Sequence, residues 1–549
     1  MPKHIIFGSP GTGKTTKLIS ILKKLFDDGI KPEEVCFCTF TKAGAEEAKE
    51  RIIEKFNLTK DDLLYFGTIH SICYKKFCLG MNVISQSQIK DFFNKIHLEY
   101  EITKDDEDLL TNEASFDFDG NILLNFYDKI RLSFCKSIYE INEDEMKVLY
   151  QNLPMPDGSF MKIFVNAFNP YKTLIEYEKY KKENNLIDFI DMLLICYKNK
   201  FLIPTKILIV DEFQDLSPLQ YEIFKIWEKD KKDIYLAGDD DQTIYSFICA
   251  NSKYLLEEKD KINENNGDEI LILDTSYRLK SEINRYCHDF INKNLRKEKR
   301  VAKLVKSFSE GGEIINDYIN YDLEKVLDYV NPEKWTFILF RTNYYKKAFI
   351  NEILIKKGIV YHEIRGKSIW NDKTINLFNA SIKLFNKQPI NSIEVKYLLS
   401  SIPFKFGMFK KGLKSNYKNM TKLNEYNMVN LMELGFNMQF FNICKDYESL
   451  FSVIDLGEGI KKSFIERQKS IVSLPIRLKI GTIHSSKGKE ADNVIIFKDI
   501  SNKVAIEIRK DQKSWENEMR VFFVGQSRAR EKLIILRGGF QRSESDLIP

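Results

Sequence analysis

The sequence predicts an α/β protein of two parallel-sheet halves, each interrupted by a mainly helical insertion. Three observations carry that prediction. Short continuous apolar runs, such as Ile207-Leu208-Ile209-Val210 and Phe337-Ile338-Leu339-Phe340, have the character of strands covered on both faces. A glycine-rich loop, Gly8-Ser9-Pro10-Gly11-Thr12-Gly13-Lys14-Thr15, joins a strand pattern to a helix pattern. Two long stretches, 79–185 and 371–470, lose the strand rhythm and read as helical.

Taken in order, His4 to Phe7 is the first strand and Thr16 to Phe26 the helix after the loop, stopped at Asp27-Asp28-Gly29. Val35 to Thr39 is a strand, and Lys42 to Phe56 a helix. Leu63 to Phe66 reads as a strand ending in a small polar turn, Gly67-Thr68-Ile69-His70-Ser71. After the first insertion, Ile187 to Leu194 brings the chain back. Lys206 to Val210 runs into Asp211-Glu212-Phe213-Gln214-Asp215, and Ile234 to Gly238 into Asp239-Asp240-Asp241-Gln242. Ile270 to Leu273 leads to Tyr277-Arg278, so one α/β unit closes near residue 280. Lys293 to Lys306 is basic and is expected to be a solvated face. The second unit has strands over Thr336–Phe340, Val360–Ile364, Arg477–Thr482, Asn493–Phe497 and Lys532–Leu536. It also has a helix over Trp515–Val524 and a polar turn, His484 to Gly488. No repeat or low-complexity segment stands out.

Bulk composition narrows the class. A chain of 549 residues is long enough for several domains with large cores. A net charge of +5 with 30% charged residues permits nucleic-acid binding without arguing for it. Nine cysteines without a C-x-x-C spacing argue for free thiols rather than a disulfide framework or a metal centre. The start, MPKHIIF, leaves no room for a signal peptide, and no apolar run reaches membrane-spanning length. The expectation is a soluble cytoplasmic protein without a membrane partner.

The loop carries the chemistry. Its glycines let backbone N–H groups close on a phosphate, and the following helix N-terminus adds positive potential. Lys14 is expected at the β- and γ-phosphates and the Thr15 hydroxyl on Mg²⁺. Asp211, at the tip of a parallel strand, is expected to hold Mg²⁺ and Glu212 to activate the attacking water. Arg278 and Arg528 come from the end of the first half and the end of the chain. If both meet one γ-phosphate, the nucleotide lies between the halves and hydrolysis needs a closed cleft. Tyr245 and Phe247, two residues apart, would fall on one side of an extended stretch; as lone aromatics they read more readily as core, and only their place just after the Gln242 motif turns the expectation to a base-stacking pair.

The order of motifs resembles that of superfamily 1 DNA helicases of the UvrD/Rep/PcrA type. The resemblance covers roughly 3–78, 186–280, 334–370 and 476–537. It implies two RecA-like domains: a first ATP-binding domain at 1–78 and 186–280 with its insertion at 79–185, and a second at 281–370 and 471–549 with a reduced insertion at 371–470. It implies ATP and Mg²⁺ as cofactors, with Gly8, Ser9, Pro10, Gly11, Thr12, Gly13, Lys14, Thr15 and Thr16 around the phosphates. Gln242 would sense the γ-phosphate, Tyr277 would stack on the base, Arg278 and Arg528 would meet the γ-phosphate, and Glu490 the ribose. DNA contacts would come from Thr39, Phe40, Thr68, His70, Tyr245, Phe247, Arg341, Thr342, His484 and Lys487.

This sequence departs from the family pattern at several places. Lys42-Ala43 stands for Asn-Lys, Phe247 for Trp, Ile248-Cys249 for Arg-Gly, and Ser527 for Thr. The adenine-reading glutamine upstream of the phosphate loop has no counterpart, which predicts relaxed nucleotide preference. The implied activity is ATP-driven translocation on single-stranded DNA and 3′–5′ unwinding of tailed or forked duplexes. The alternative is a DNA-stimulated ATPase subunit that remodels protein–DNA complexes, and a nuclease, polymerase or repair factor is conceivable as partner. A scaffold that has lost hydrolysis conflicts with the intact Lys14, Asp211, Glu212, Gln242, Arg278 and Arg528. A switch NTPase without nucleic acid conflicts with the doubled α/β core.

Overall fold

The computed structural model describes residues 2–78, 80–102, 118–152, 169–296, 300–366, 368–417, 423–469, 477–541 and 543–549. Of the expected insertions, 79–185 and 371–470, the stretches 103–117, 153–168, 418–422 and residue 470 lie outside them, as do 297–299 of the basic stretch and 471–476 of the expected second domain.

Apolar runs become sheet interior. Strands β1 (Lys3–Gly8), β2 (Val35–Thr39), β3 (Phe66–Thr68), β4 (Ile207–Val210), β5 (Asp233–Gly238) and β6 (Glu269–Leu273) form one sheet in the order β3-β2-β4-β5-β1-β6. Every neighbouring pair is parallel. Every residue of β2 and β4 is buried, as strands covered on both faces require. β6 is the edge and is half exposed. Helix α1 (Lys14–Asp27) buries Leu18, Ile19, Leu22 and Leu25, one stripe at helical spacing. Next come α2 (Lys42–Phe56) and α3 (Ile69–Phe77), each with a threonine N-cap: Thr41 accepts from Gly44 N–H and Thr68 from Ser71 N–H.

The first insertion contributes α4 (Asp119–Phe134) and α5 (Pro170–Glu183), and α6 (Phe189–Lys198) re-enters the first half. A buried ionic knot fixes the join. Arg131 on α4 donates to Asp188 at 2.8 Å and Asp191 at 3.0 Å, and Lys181 on α5 donates to the same two acids at 2.7 and 2.5 Å. Asp188 also caps α6, accepting from Ile190 and Asp191 N–H groups.

A short parallel ribbon, β7 (Thr275–Ser276) with β8 (Lys306–Ser307), flanks α7 (Ser281–Asn294) at the passage to the second half. There β9 (Glu313–Tyr318), β10 (Thr336–Phe340), β11 (His362–Glu363), β12 (Leu478–Thr482), β13 (Ala491–Phe497) and β14 (Ala529–Arg537) form a second parallel sheet in the order β9-β14-β13-β10-β12-β11. Helix α8 (Gln512–Gln526) leads into β14. Between β11 and β12 lie helices at Asp372–Phe385, Ser392–Ser401, Met428–Leu434, Met438–Ile443, Tyr447–Val453 and Glu458–Lys469, with one short antiparallel pair. This second insertion shares a continuous core with its sheet: Phe340, Ile480 and Phe497 join Trp370, Phe451 and Phe464. At Gly358, φ +62, a Cβ would lie 2.2 Å from the backbone nitrogen of Arg467, so the last insertion helix packs directly on the second half.

Three expectations change. The strand expected at Leu63–Phe66 begins only at Phe66, and Gly67-Thr68 belong to it rather than to a turn; pairing with β2 outweighs the glycine. The basic stretch is not a solvated face throughout, because Arg300 and Lys303 are buried against acids. β9 has no counterpart among the expected strands.

Candidate nucleotide cleft and nucleic-acid face

The C-terminal tips of β1, β4 and β5 meet at the phosphate loop, the end of a parallel sheet where ligands bind. Gly11 and Gly13 take φ +76 and +81, and a Cβ at Gly11 would sit 2.4 Å from the Arg278 Cβ. Lys14 is buried, and its Nζ donates to the Gly8 carbonyl at 2.7 Å across the loop. The Thr15 hydroxyl donates to Asp211 Oδ2 at 2.6 Å, so the two oxygens expected on Mg²⁺ already adjoin. That pair of hard oxygen donors fits a divalent magnesium ion.

Glu212 follows in left-handed backbone, φ 56, and its N–H donates to Asp211 Oδ1 at 2.9 Å. Burial and then the neighbouring Glu212 push Asp211 up to about 6. Burial raises Glu212 too, but Lys487 and Lys14 outweigh it and hold this acid below its ordinary value. It is therefore a carboxylate at neutral pH, as a proton acceptor must be. Gln214, for which the sequence suggested no role, holds Glu212 in place: its Nε2 donates to Glu212 Oε2 at 2.5 Å, and its Oε1 accepts from Asp239 N–H at 3.0 Å.

The second half closes the other side. Arg528, in the turn between α8 and β14, is buried and donates to Gln242 Oε1 at 3.2 Å. Burial and then Arg278 lower its guanidinium to about 9. Arg278 donates to Glu490 Oε2 at 2.5 Å. Tyr277 is exposed beside the loop, while Thr16 accepts a hydrogen bond from Arg51 at 3.0 Å. Thus Lys14, Thr15, Asp211, Glu212, Gln242, Arg278, Glu490 and Arg528 come together around one cleft, with Ser9 and Thr12 buried in the loop.

A ring of buried charge supports Gln242. Its Nε2 donates to Asp239 Oδ2 at 2.6 Å, and Asp239 Oδ1 accepts from Lys303 Nζ at 2.6 Å. Lys303 also reaches Asp240 at 2.5 Å, Arg300 grips Asp241 at 2.6 and 2.7 Å, and Arg520 of α8 donates to the Asp240 carbonyl. These partners are not legible in the sequence, where a charge run stands out but its distant acids do not.

Along the same opening lie the residues expected on DNA. Phe40 and Phe247 are half-buried, whereas Tyr245 is 0% exposed. Tyr245 stacks on Phe40 at 4.9 Å, with the Lys487 Nζ 5.0 Å over its ring. In this arrangement Tyr245 presents no free face for a base, and of the expected pair only Phe247 is partly exposed, with its ring in edge contact with Tyr245 and His484. Lys487 itself crosses the cleft to pair with Asp215 and to donate to the Gln242 carbonyl at 2.7 Å. Burial alone would lower this lysine, but Asp215 and Glu212 raise it, while burial pushes Asp215 up to about 7. Thr39 is buried and Thr342 caps the helix Asn343–Phe349; Arg341 donates to Glu518 at 2.6 Å.

His70 and His484 occupy matching places. The pentapeptide Gly-Thr-Ile-His-Ser occurs at 67–71 and at 481–485, at the tips of β3 and β12. In both copies the serine hydroxyl donates to the threonine carbonyl, at 2.8 and 2.7 Å. A Cβ on either glycine would meet that serine oxygen, at 2.4 and 2.3 Å. Both histidines are buried; burial lowers His70 to about 4 and His484 well below its ordinary value. This pentapeptide, one copy in each half, is a short repeat legible in the sequence, and only the structure shows that its two copies take the same place at a strand tip.

Fold and site together define a chain of two parallel-sheet halves sharing one phosphate-loop cleft. Family comparison agrees. Residues 2–263 match the UvrD/REP helicase N-terminal domain and residues 171–537 the UvrD-like helicase C-terminal domain. The chain belongs to the UvrD-like helicase family. Among its relatives, the "Probable DNA helicase II homolog" of Mycoplasma genitalium is 23% identical over 97% of this chain and 82% of its own length. The "ATP-dependent DNA helicase Rep" of Buchnera aphidicola subsp. Acyrthosiphon pisum is 23% identical over 96% and 91%. With YjcD of Bacillus subtilis (strain 168), at 25% identity, the match takes in 72% of this chain and spans only about half, 52%, of the relative. Among the described residues no helix is long and apolar enough to cross a membrane.

Proposed function

We propose that this protein hydrolyses ATP with Mg²⁺ in the cleft between its halves and uses the cycle to move along single-stranded DNA, unwinding duplex 3′ to 5′. The observation that carries the reading is the Arg528–Gln242 contact, which brings a cation from the second half onto the first half's phosphate site. Residues 1–78 and 186–280 act as the ATP-binding domain and 281–370 with 471–549 as its closing partner. The insertions at 79–185 and 371–470 flank the DNA path.

In the hydrolytic step a water oxygen attacks the γ-phosphorus, Glu212 takes the water's proton, and ADP departs. Lys14, Arg278 and Arg528 face the charge that spreads over the phosphoryl oxygens. Thr15 and Asp211 would ligate Mg²⁺, whose bound charge offsets that of the phosphates. An arginine finger is worth about 10³–10⁵ in rate, so opening the cleft after phosphate release switches hydrolysis off. Lys487, shared between Asp215, the Gln242 carbonyl and the Tyr245 ring, links nucleotide state to the DNA face.

The test is phosphate release with and without single-stranded DNA, followed by strand separation on tailed duplexes. DNA-stimulated release with unwinding supports the reading. A rate indifferent to DNA, with no unwinding, sinks it.

A further inference from the structure

Two large aromatic rings stand exposed beside the phosphate loop: Tyr277 at 66% and Phe308 at 70%. The β7–β8 ribbon sets them side by side. Thr275 pairs with Lys306 and Ser276 with Ser307, and the Phe308 N–H donates to the Ser276 carbonyl at 2.9 Å. Side chains alternate along extended chain. Ser276 turns inward, fully buried, and its hydroxyl donates to the Pro10 carbonyl at 2.9 Å. Tyr277 and Phe308 therefore turn outward together, their centroids 5.3 Å apart and their planes tilted by 38°.

The pair is fixed to the phosphate loop. The Tyr277 N–H donates to the Gly11 carbonyl at 2.9 Å, and Gly11 is pressed against Arg278 and Ser276 so closely that no Cβ fits. Wherever the loop holds phosphates, these rings keep a constant distance from them. Two adjoining apolar rings left in water are unfavourable unless something covers them. The ligand tied to this loop brings its own flat π-surface, the nucleobase. A phenylalanine ring has no hydrogen-bonding group, so it grips every base alike.

Resting on the nucleotide reading above, we propose that Phe308 is a second base-contacting residue, which with Tyr277 forms an aromatic wall holding the nucleobase by its face. Such a wall favours no particular base.

The test is the KM for ATP, GTP and CTP in Phe308→Ala and Phe308→Trp, alongside binding of inorganic tripolyphosphate, which carries no base. Phe308→Ala is expected to raise KM by about tenfold for all three nucleotides, the size of one lost stacking contact. Its kcat at saturation and its tripolyphosphate affinity are expected to stay unchanged. Phe308→Trp keeps the wall, so its KM stays near wild type and its indole fluorescence changes with ADP but not with pyrophosphate. Normal ATP binding by the wild type with an unchanged KM in Phe308→Ala overturns this proposal alone. Loss confined to ATP overturns contact through the face. Failure of the wild type to bind any nucleotide overturns the cleft reading and this proposal with it.

Discussion

Glu212 is the one non-glycine residue of the cleft held at positive φ, 56°. Backbone in that region costs about 1–3 kcal/mol and persists where the surroundings demand it. Here the demand is visible: Gln214 fixes the carboxylate while Asp211 takes the backbone N–H. Glu212→Gln keeps shape and removes the base, so kcat should fall by about 10²–10⁴-fold. Nucleotide binding, measured with a fluorescent analogue, should survive; phosphate release at the wild-type rate would show that another group takes the proton. His70 makes a second residue-level case. Its Nε2 is buried without a hydrogen-bond partner among the described residues, and burial lowers the ring to about 4. Below about pH 6.5 the unfolded chain takes up a proton there that the folded chain refuses, so stability falls as pH drops from 6.5 towards 4. The slope approaches about 1.4 kcal/mol per pH unit for one such group. His70→Gln should flatten the pH dependence of the unfolding midpoint in that window, and an unchanged slope would refute the assignment.

At the scale of elements, the segment after α7 is what locks the Gln242 loop. Lys303, its side chain 1% exposed, is shared among Asp239, Asp240 and Asp241, and Arg300 is forked onto Asp241. Removing one member of a buried ion cluster leaves charge unpaired and costs about 3–5 kcal/mol. Lys303→Met should therefore lower the denaturant midpoint sharply, and because Asp239 also positions Gln242, kcat should drop with little change in KM. Lys303→Arg should recover most of both; a Met variant with wild-type kcat would detach Lys303 from Gln242. The sequence showed the strands here far better than the ties. β4 and β10 were plain because a strand covered on both faces must be apolar throughout. β9 (EIINDY) was not, since an edge strand mixes exposed polar residues with half-buried ones. The phosphate loop, Asp211-Glu212 and Arg528 were legible as motifs, but Lys303 and Gln214 act through partners that local pattern does not reveal. The place of Tyr245 just after the Gln242 motif favours a stacker over a core residue, because a local motif says nothing about the Phe40 ring that covers it.

For the molecule as a whole, the direction of travel and the coupling to DNA are the open test. The two halves meet through Lys487, Arg528 and Arg278, so on the proposed reading a nucleotide that pulls on Arg528 is expected to shift the surroundings of Phe247 and His484 as well. The second insertion packs on the second half through one continuous core and the close approach at Gly358. An insertion packed this way is expected neither to block a DNA path nor to wrap far around duplex. The monomer is therefore expected to unwind a 3′-tailed duplex appreciably but with modest processivity, and a 5′-tailed one weakly. Binding should weaken with salt, because phosphate contacts supply much of the affinity. Phe247 is the residue for testing coupling, since Tyr245→Ala would open a core cavity costing about 3–5 kcal/mol and confuse stability with function. Phe247→Ala is expected to hydrolyse ATP on DNA at near the normal rate yet separate fewer base pairs per ATP, because a stacked base worth about 1–3 kcal/mol no longer resists slippage. Strand separation and phosphate release measured on the same tailed substrate give that ratio directly. Preferential unwinding from a 5′ tail would reverse the assigned polarity, and an unchanged ratio in Phe247→Ala would remove this ring from the tracked strand.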